Sequence, residues 1–158
     1  MTTENLPLDS FELQKALNYE YNDISLLNKA LTHSSYSNEL KLKHRERECN
    51  ERLEFLGDSV LSIIVSEYLF SHYATRPEGE LTRMRAEVVC EKALSKFANK
   101  IGLGNYLFLG HGEEKNNGRK RKSILADAFE AVLASMYLDA GKDGKKMVAR
   151  FLLPLIIE

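Results

Sequence analysis

"NERLEFLGDSVLSIIV", Asn50 to Val65, threads three carboxylates, Glu51, Glu54 and Asp58, through a segment whose other side chains are mostly apolar. On a helix turning about 100° per residue, with Glu51 at 0°, Glu54 falls near 300° and Asp58 near 340°. Leu53, Leu56, Val60 and Ile64 fall between about 140° and 220°. The stretch therefore reads as a buried helix with an apolar spine and an acidic stripe on opposite sides. Phe55, near 40°, stands beside the acids and off the spine. It is either one more partly exposed aromatic or a contact with another subunit.

A second segment makes the same point more sharply. In "ILADAFEAVLASMYL" (Ile124 to Leu138) the only polar side chains besides Asp127 and Glu130 are Ser135 and the Tyr137 hydroxyl. A helix apolar on all sides belongs in the middle of a domain. Yet Asp127 and Glu130 stand three residues apart and so share a face. An ionised carboxylate removed from water costs several kcal/mol unless it gains a partner.

Outward from these two helices, apolar residues recur at helical spacing in nearly every segment, and no stretch alternates long enough to compete as a strand. The fold class is all-α. A first helix is expected over Leu8–Leu17 after Pro7, and a second over Ile24–Leu31 with Asp23 as N-cap. "THSSYSNELKLKHRERECN" breaks the pattern and reads as a long connection, with Asn50 capping the central helix as far as Tyr73. Another helix runs from Leu81 to Lys100, stopped by Gly102 and Gly104. Ser123 is the candidate cap of the apolar helix and Gly141 its stop. A last helix spans Asp143–Ile156, with Pro154 set to end or bend it. Gly57 suits close backbone approach and Gly79 a turn. No repeat or linker divides the 158 residues, so one helical domain is expected.

With 44% hydrophobic and 28% charged residues the chain belongs with ordinary globular proteins. Cys49 and Cys90 form no CxxC pair and read as reduced thiols. Neither a secretory leader nor an apolar run long enough for a membrane span is present, so no membrane association and a cytoplasmic location are expected. Net charge is −1, but the basic residues cluster at "KLKHRER" (Lys41 to Arg47), at Arg83 and Arg85, and at "GRKRK" (Gly118 to Lys122).

The acids could share a proton, pair with Arg52, Arg83 or Arg85, or hold a cation. Salt bridges can account for one pair, less well for five acids that converge if the two helices face each other. Glu51, Glu54, Asp58, Asp127 and Glu130 would then form an all-oxygen nest suited to Mg²⁺ or Mn²⁺. Zinc lacks its usual Cys and His ligands. Such ions can activate water and stabilise both oxygens of a phosphodiester displacement. With Glu78 as a sixth acid set aside, 17 acidic residues remain against 22 basic ones, a surplus of five suited to a polyanion.

These residues carry a resemblance. "NERLEFLGDSVL" closely resembles the signature of the bacterial ribonuclease III family, and "ALTHSSYSNE", "PEGELTRMRAEVV" and "ILADAFEAVLASMYLD" match it in the same order. The likeness covers almost the whole chain. It implies an all-α endonuclease domain over residues 1–158, forming a homodimer and cutting double-stranded RNA with Mg²⁺, or Mn²⁺ in its place. The expected products carry 5′-phosphate and 3′-hydroxyl ends with short 3′ overhangs, and the expected setting is rRNA and mRNA processing.

By the same resemblance Glu54, Asp127 and Glu130 are metal ligands, and Asp58 and Glu130 are catalytic. Glu51 and Glu78 line the cleavage valley of the dimer, and Phe55 inserts into the partner. Arg119, Lys120 and Arg121 touch the RNA backbone. His33, in "THSS", reads as a satisfied structural histidine, and His44, His72 and His111 as surface residues. The chain departs from the family in stopping at "FLLPLIIE", where members usually continue into a double-stranded-RNA-binding domain. Two other functions compete. A non-catalytic RNA-binding relative would lack the metal-site acids, all present here, and a helical phosphohydrolase acting on nucleotides would need further His or Asp ligands.

Overall fold

The computed structural model describes residues 7–158. In chain order the α-helices are α1 (Ser10–Leu17), α2 (Ile24–Ala30), α3 (Ser34–Leu42), α4 (Glu51–His72), α5 (Glu78–Val89), α6 (Glu91–Lys100), α7 (His111–Lys115), α8 (Lys122–Asp139) and α9 (Gly144–Ile157). Short 3₁₀ turns join the later helices. Among the described residues there is no strand, only an isolated parallel bridge between Thr32 and Phe108. No described helix is long and apolar enough to cross a membrane.

The all-round apolar reading of α8 places it correctly at the centre. Leu125, Phe129, Leu133 and Met136 are buried on successive turns, with α4, α6, α2 and α9 packed around them. Phe129 lies between Phe97 of α6 and Phe151 of α9, with ring centroids 5.9 and 6.1 Å away. Truncating such a ring costs about 3–5 kcal/mol. At the far end of α8, the Asp139 carboxylate accepts from the Tyr19 hydroxyl at 2.6 Å and from the Asn22 and Asp23 amides, tying the α1–α2 turn to the centre.

Several boundaries depart from expectation for identifiable reasons. The supposed long connection contains α3, which buries no residue of its own. It is held instead by polar tethers, Gly110 N–H to Ser35 Oγ and His111 N–H to Glu39. The expected helix from Leu81 to Lys100 is two, broken at Cys90, whose backbone is extended (φ −73°, ψ 159°). The break lets α6 turn Leu94, Phe97 and Ala98 onto α8, while α5 buries none of its residues.

Asn50 does occupy the N-cap of α4, but its side chain donates to the Ala30 carbonyl rather than capping. Ser123 lies inside α8, which starts at Lys122 without a side-chain cap. Pro154 lies within α9 and does not end it. Gly79 sits in the first turn of α5, not in a turn of its own. The caps at Asp9 and Asp23 each accept an amide at 3.0 Å, and Gly102 stops α6 at φ +65°.

Candidate metal centre

The acidic faces of α4 and α8 meet because Gly57 has no side chain. A Cβ there would lie 1.9 Å from the carbonyl oxygen of Glu130, so any other residue would push the helices apart. This crossing sets Glu54, one turn before Gly57, beside Asp127 and Glu130. Each of the three can offer an oxygen within 4.8 Å of the others. All three are partly buried.

Electrostatics follow from that crowding. The Glu130 carboxyl is pushed up to about 8, first by burial and then by Asp58, Glu54 and Asp127. Glu54 is raised by burial, by Asp127 and by Glu51. Asp127 is raised by burial and by Glu91, with His33 as a partial offset. Among the described residues no arginine or lysine forms an ion pair with any of the three. Arg85 donates instead to the Ser66 hydroxyl at 2.9 Å, and Arg52 and Arg83 are exposed. Three crowded carboxylates without a cationic side chain or a thiolate are a donor set that fits a hard divalent cation.

The other expected residues divide. Asp58 is exposed close enough to Glu130 to raise it, and Glu51 acts likewise on Glu54. Glu78 is not brought to this nest within one chain. It opens α5, accepts from the Thr82 hydroxyl at 2.6 Å, and lines a groove with Phe70 and Arg85. Phe70 lies about 24 Å along α4 from Glu54.

Phe55 is 80% exposed, and Ile63 and Phe70 continue an uncovered apolar stripe along α4. Arg119 turns inward. Its guanidinium donates to Glu114 at 2.7 Å and to the carbonyls of Gly104 and Leu107 at 2.9 and 2.7 Å, so it fastens the loop rather than reaching outward. Lys120 is exposed, and Arg121 is half exposed against Glu113.

His33, expected as a satisfied structural histidine, is satisfied as the cap of α3, while Glu91 near the centre escaped the sequence reading. His33 caps α3, its Nδ1 accepting from the Ser35 amide at 3.2 Å and lying 2.7 Å from the Ser35 hydroxyl. The only signal was a histidine just before "SS", a cap position more often filled by Ser or Asp. Glu91 reaches Asp127 only because the chain breaks at Cys90, which no glycine or proline announces.

The Ribonuclease-III-like family matches residues 23–156. "Ribonuclease 3" of Caldanaerobacter subterraneus is 51% identical over 146 residues, covering 92% of this chain and 63% of that protein. "Ribonuclease 3" of Syntrophomonas wolfei is 50% identical over 159 residues, covering 100% of this chain and 66% of that one. The chain thus spans about two thirds of the length of these relatives. The nuclease domain of ribonuclease III from Campylobacter jejuni superposes with a TM-score of 0.84 at 40% identity, over 94% of this chain and 96% of that one. That Campylobacter domain shows structural flexibility in a region involved in dimer formation.

Proposed function

Because the chain belongs to the ribonuclease-III-like family, we propose that it is a divalent-metal-dependent endoribonuclease for double-stranded RNA. The observation that carries the reading is the trio Glu54, Asp127 and Glu130, packed within 4.8 Å with no basic side chain paired to it among the described residues. These three would hold Mg²⁺ or Mn²⁺, which supplies Lewis-acid stabilisation of phosphoryl charge and eases ionisation of water.

The chain's own groups supply the rest. Glu130, protonated up to about pH 8 in the metal-free protein, must give up its proton to become a ligand. Asp58, exposed beside it, is the carboxylate free to orient a water and take its proton. Glu51 adds negative charge behind Glu54.

The reading extends to a homodimer through the stripe of Phe55, Ile63 and Phe70. In the dimer Glu78 serves the shared valley that it cannot reach in one chain. Hydrolysis would leave 5′-phosphate and 3′-hydroxyl ends with short 3′ overhangs, in cytoplasmic processing of rRNA and mRNA. Incubation with long duplex RNA, single-stranded RNA or a nucleoside triphosphate, each with Mg²⁺ or with chelator, tests the proposal. Cleavage of the duplex alone, abolished by chelator, is expected. Binding of RNA without cleavage would favour the non-catalytic relative, and hydrolysis of the triphosphate alone the nucleotide hydrolase.

A further inference from the structure

The basic run Lys41 to Arg47 is not used by the site described above, yet the fold gives it a definite shape. Its members divide into one anchor and four free groups. Arg47 is the anchor: its guanidinium sits 4.1 Å from the Phe108 ring centroid and 5.2 Å from that of Tyr36. Its Nε donates to the Thr32 hydroxyl at 3.1 Å. The side chains of Lys41, Lys43, His44 and Arg45 are exposed, and among the described residues none of them makes an ion pair or hydrogen bond.

They are not on a loose loop. Arg45 N–H returns to the Leu40 carbonyl at 2.8 Å and His44 N–H to Lys41 at 3.0 Å, with His44 left-handed at φ +56°. The double return to the last turn of α3 locks the reversal. The acids flanking the run are engaged: Glu39 accepts the His111 amide and Glu48 pairs with Lys29. Between positions 41 and 47 four lysines and arginines, with His44, stand against one acid, Glu46.

Placement gives the patch its meaning. The N-cap of α3, His33, follows Thr32, whose carbonyl accepts the amide of Asn50, the N-cap of α4, at 2.9 Å, so α3 begins beside the turn of α4 that carries Glu51 and Glu54. The nine residues of α3 carry the chain about 13 Å to the basic turn. The helix cannot swing, because Ser35 and Glu39 fasten it to the Gly110–His111 backbone. A rigid spoke thus runs from the acidic centre to a cationic tip.

We propose that Lys41, Lys43, His44 and Arg45 form a phosphate-binding arm that holds the backbone of duplex RNA beside the cleavage centre. The proposal rests on the RNA reading above and adds to it a contact surface in place of Arg119, which is committed inward. RNA duplexes are recognised largely through phosphates and shape, so cations at a fixed offset from the centre supply affinity without sequence choice. Leu42, 84% exposed between two lysines, makes a protein surface the competing occupant, but the surrounding charge favours the polyanion.

The test compares the parent protein, the triple variant K41Q/K43Q/R45Q, and a charge-matched control, K96Q/K142Q/K146Q, whose lysines are exposed on other helices and turns. Cleavage kinetics on a long RNA duplex are followed across a range of salt concentrations, with sedimentation of each variant. The arm variant should raise KM roughly tenfold and flatten its salt dependence by a logarithmic slope of about 2–3, one unit or slightly less per lost phosphate contact. Its kcat at saturating RNA should stay within about twofold, because the lost contacts bind ground state and transition state alike.

An arm variant with the parent's KM and salt slope, or a control variant that loses as much, overturns the proposal. So does loss of the dimer in the arm variant alone, which would assign the patch to subunit contact. A parent protein that neither binds nor cuts duplex RNA overturns the RNA reading itself, whereas an active parent with an indifferent arm variant overturns the arm alone.

Discussion

Gly57 and Glu130 meet so closely that a Cβ on the glycine would lie 1.9 Å from the carbonyl oxygen of the glutamate. The contact places one turn of α4 against the turn of α8 that carries two of the three clustered acids. Gly57→Ala should therefore wedge the helices apart and damage the site together with the fold. A loss of about 1–3 kcal/mol is expected from overpacking, lowering Tm by roughly 3–10 °C. Thermal unfolding and Mn²⁺ titration calorimetry check both parts. A variant of unchanged Tm that binds Mn²⁺ normally would show that the close crossing does not hold the acids together.

A proton on Glu130 leaves a signature in stability. Its carboxyl is raised to about 8 in the fold from an ordinary value of 4.5, so the folded state binds the extra proton and the unfolded chain does not. The associated stability is fully present below the unfolded value and is lost as pH rises toward 8. In chelator, urea denaturation should find the difference between the wild-type chain and Glu130→Gln shrinking or reversing across that window. Added Mg²⁺ should restore the wild-type protein at the alkaline end. A wild-type protein that gains stability relative to the variant as pH rises, without metal, would contradict the electrostatic picture.

Phe55, 80% exposed beside the acidic stripe, separates folding from assembly. Phe55→Glu should change the stability of the isolated chain by no more than about 0.5 kcal/mol, as expected at an exposed site. It should also convert a dimer to an 18.0 kDa monomer in sedimentation. A variant that remains dimeric, or a parent that is monomeric at micromolar concentration, would contradict the assigned interface.

The sequence was most legible where one periodicity determined both packing and chemistry. On α4 the acids and Leu53, Val60 and Ile64 separate cleanly by angle, and on α8 the apolar surround made Asp127 and Glu130 conspicuous. Where tertiary contacts decide, the signal fades. α3 has no apolar stripe because polar bonds from Ser35 and Glu39 hold it. The break at Cys90 exists because α6 must turn its apolar face onto α8. Arg119 stands in the sequence as one of the basic cluster expected to touch RNA, but the two carbonyls that capture it lie 15 and 12 residues away in sequence. His33 and Glu91 reach Asp127 through the same long-range packing, which residue spacing along the chain does not encode.

The central claim is that the carboxylates of α4 and α8 form a metal-dependent hydrolytic centre. The most direct measurement is cleavage of long duplex RNA in Mg²⁺ by the wild-type chain and by Glu130→Gln, with circular dichroism and sedimentation run on both. Fold and assembly should be unchanged and cleavage reduced by roughly a thousandfold or more, because the loss falls on transition-state stabilisation. A Glu130→Gln protein that cuts duplex RNA at the wild-type rate would contradict the claim.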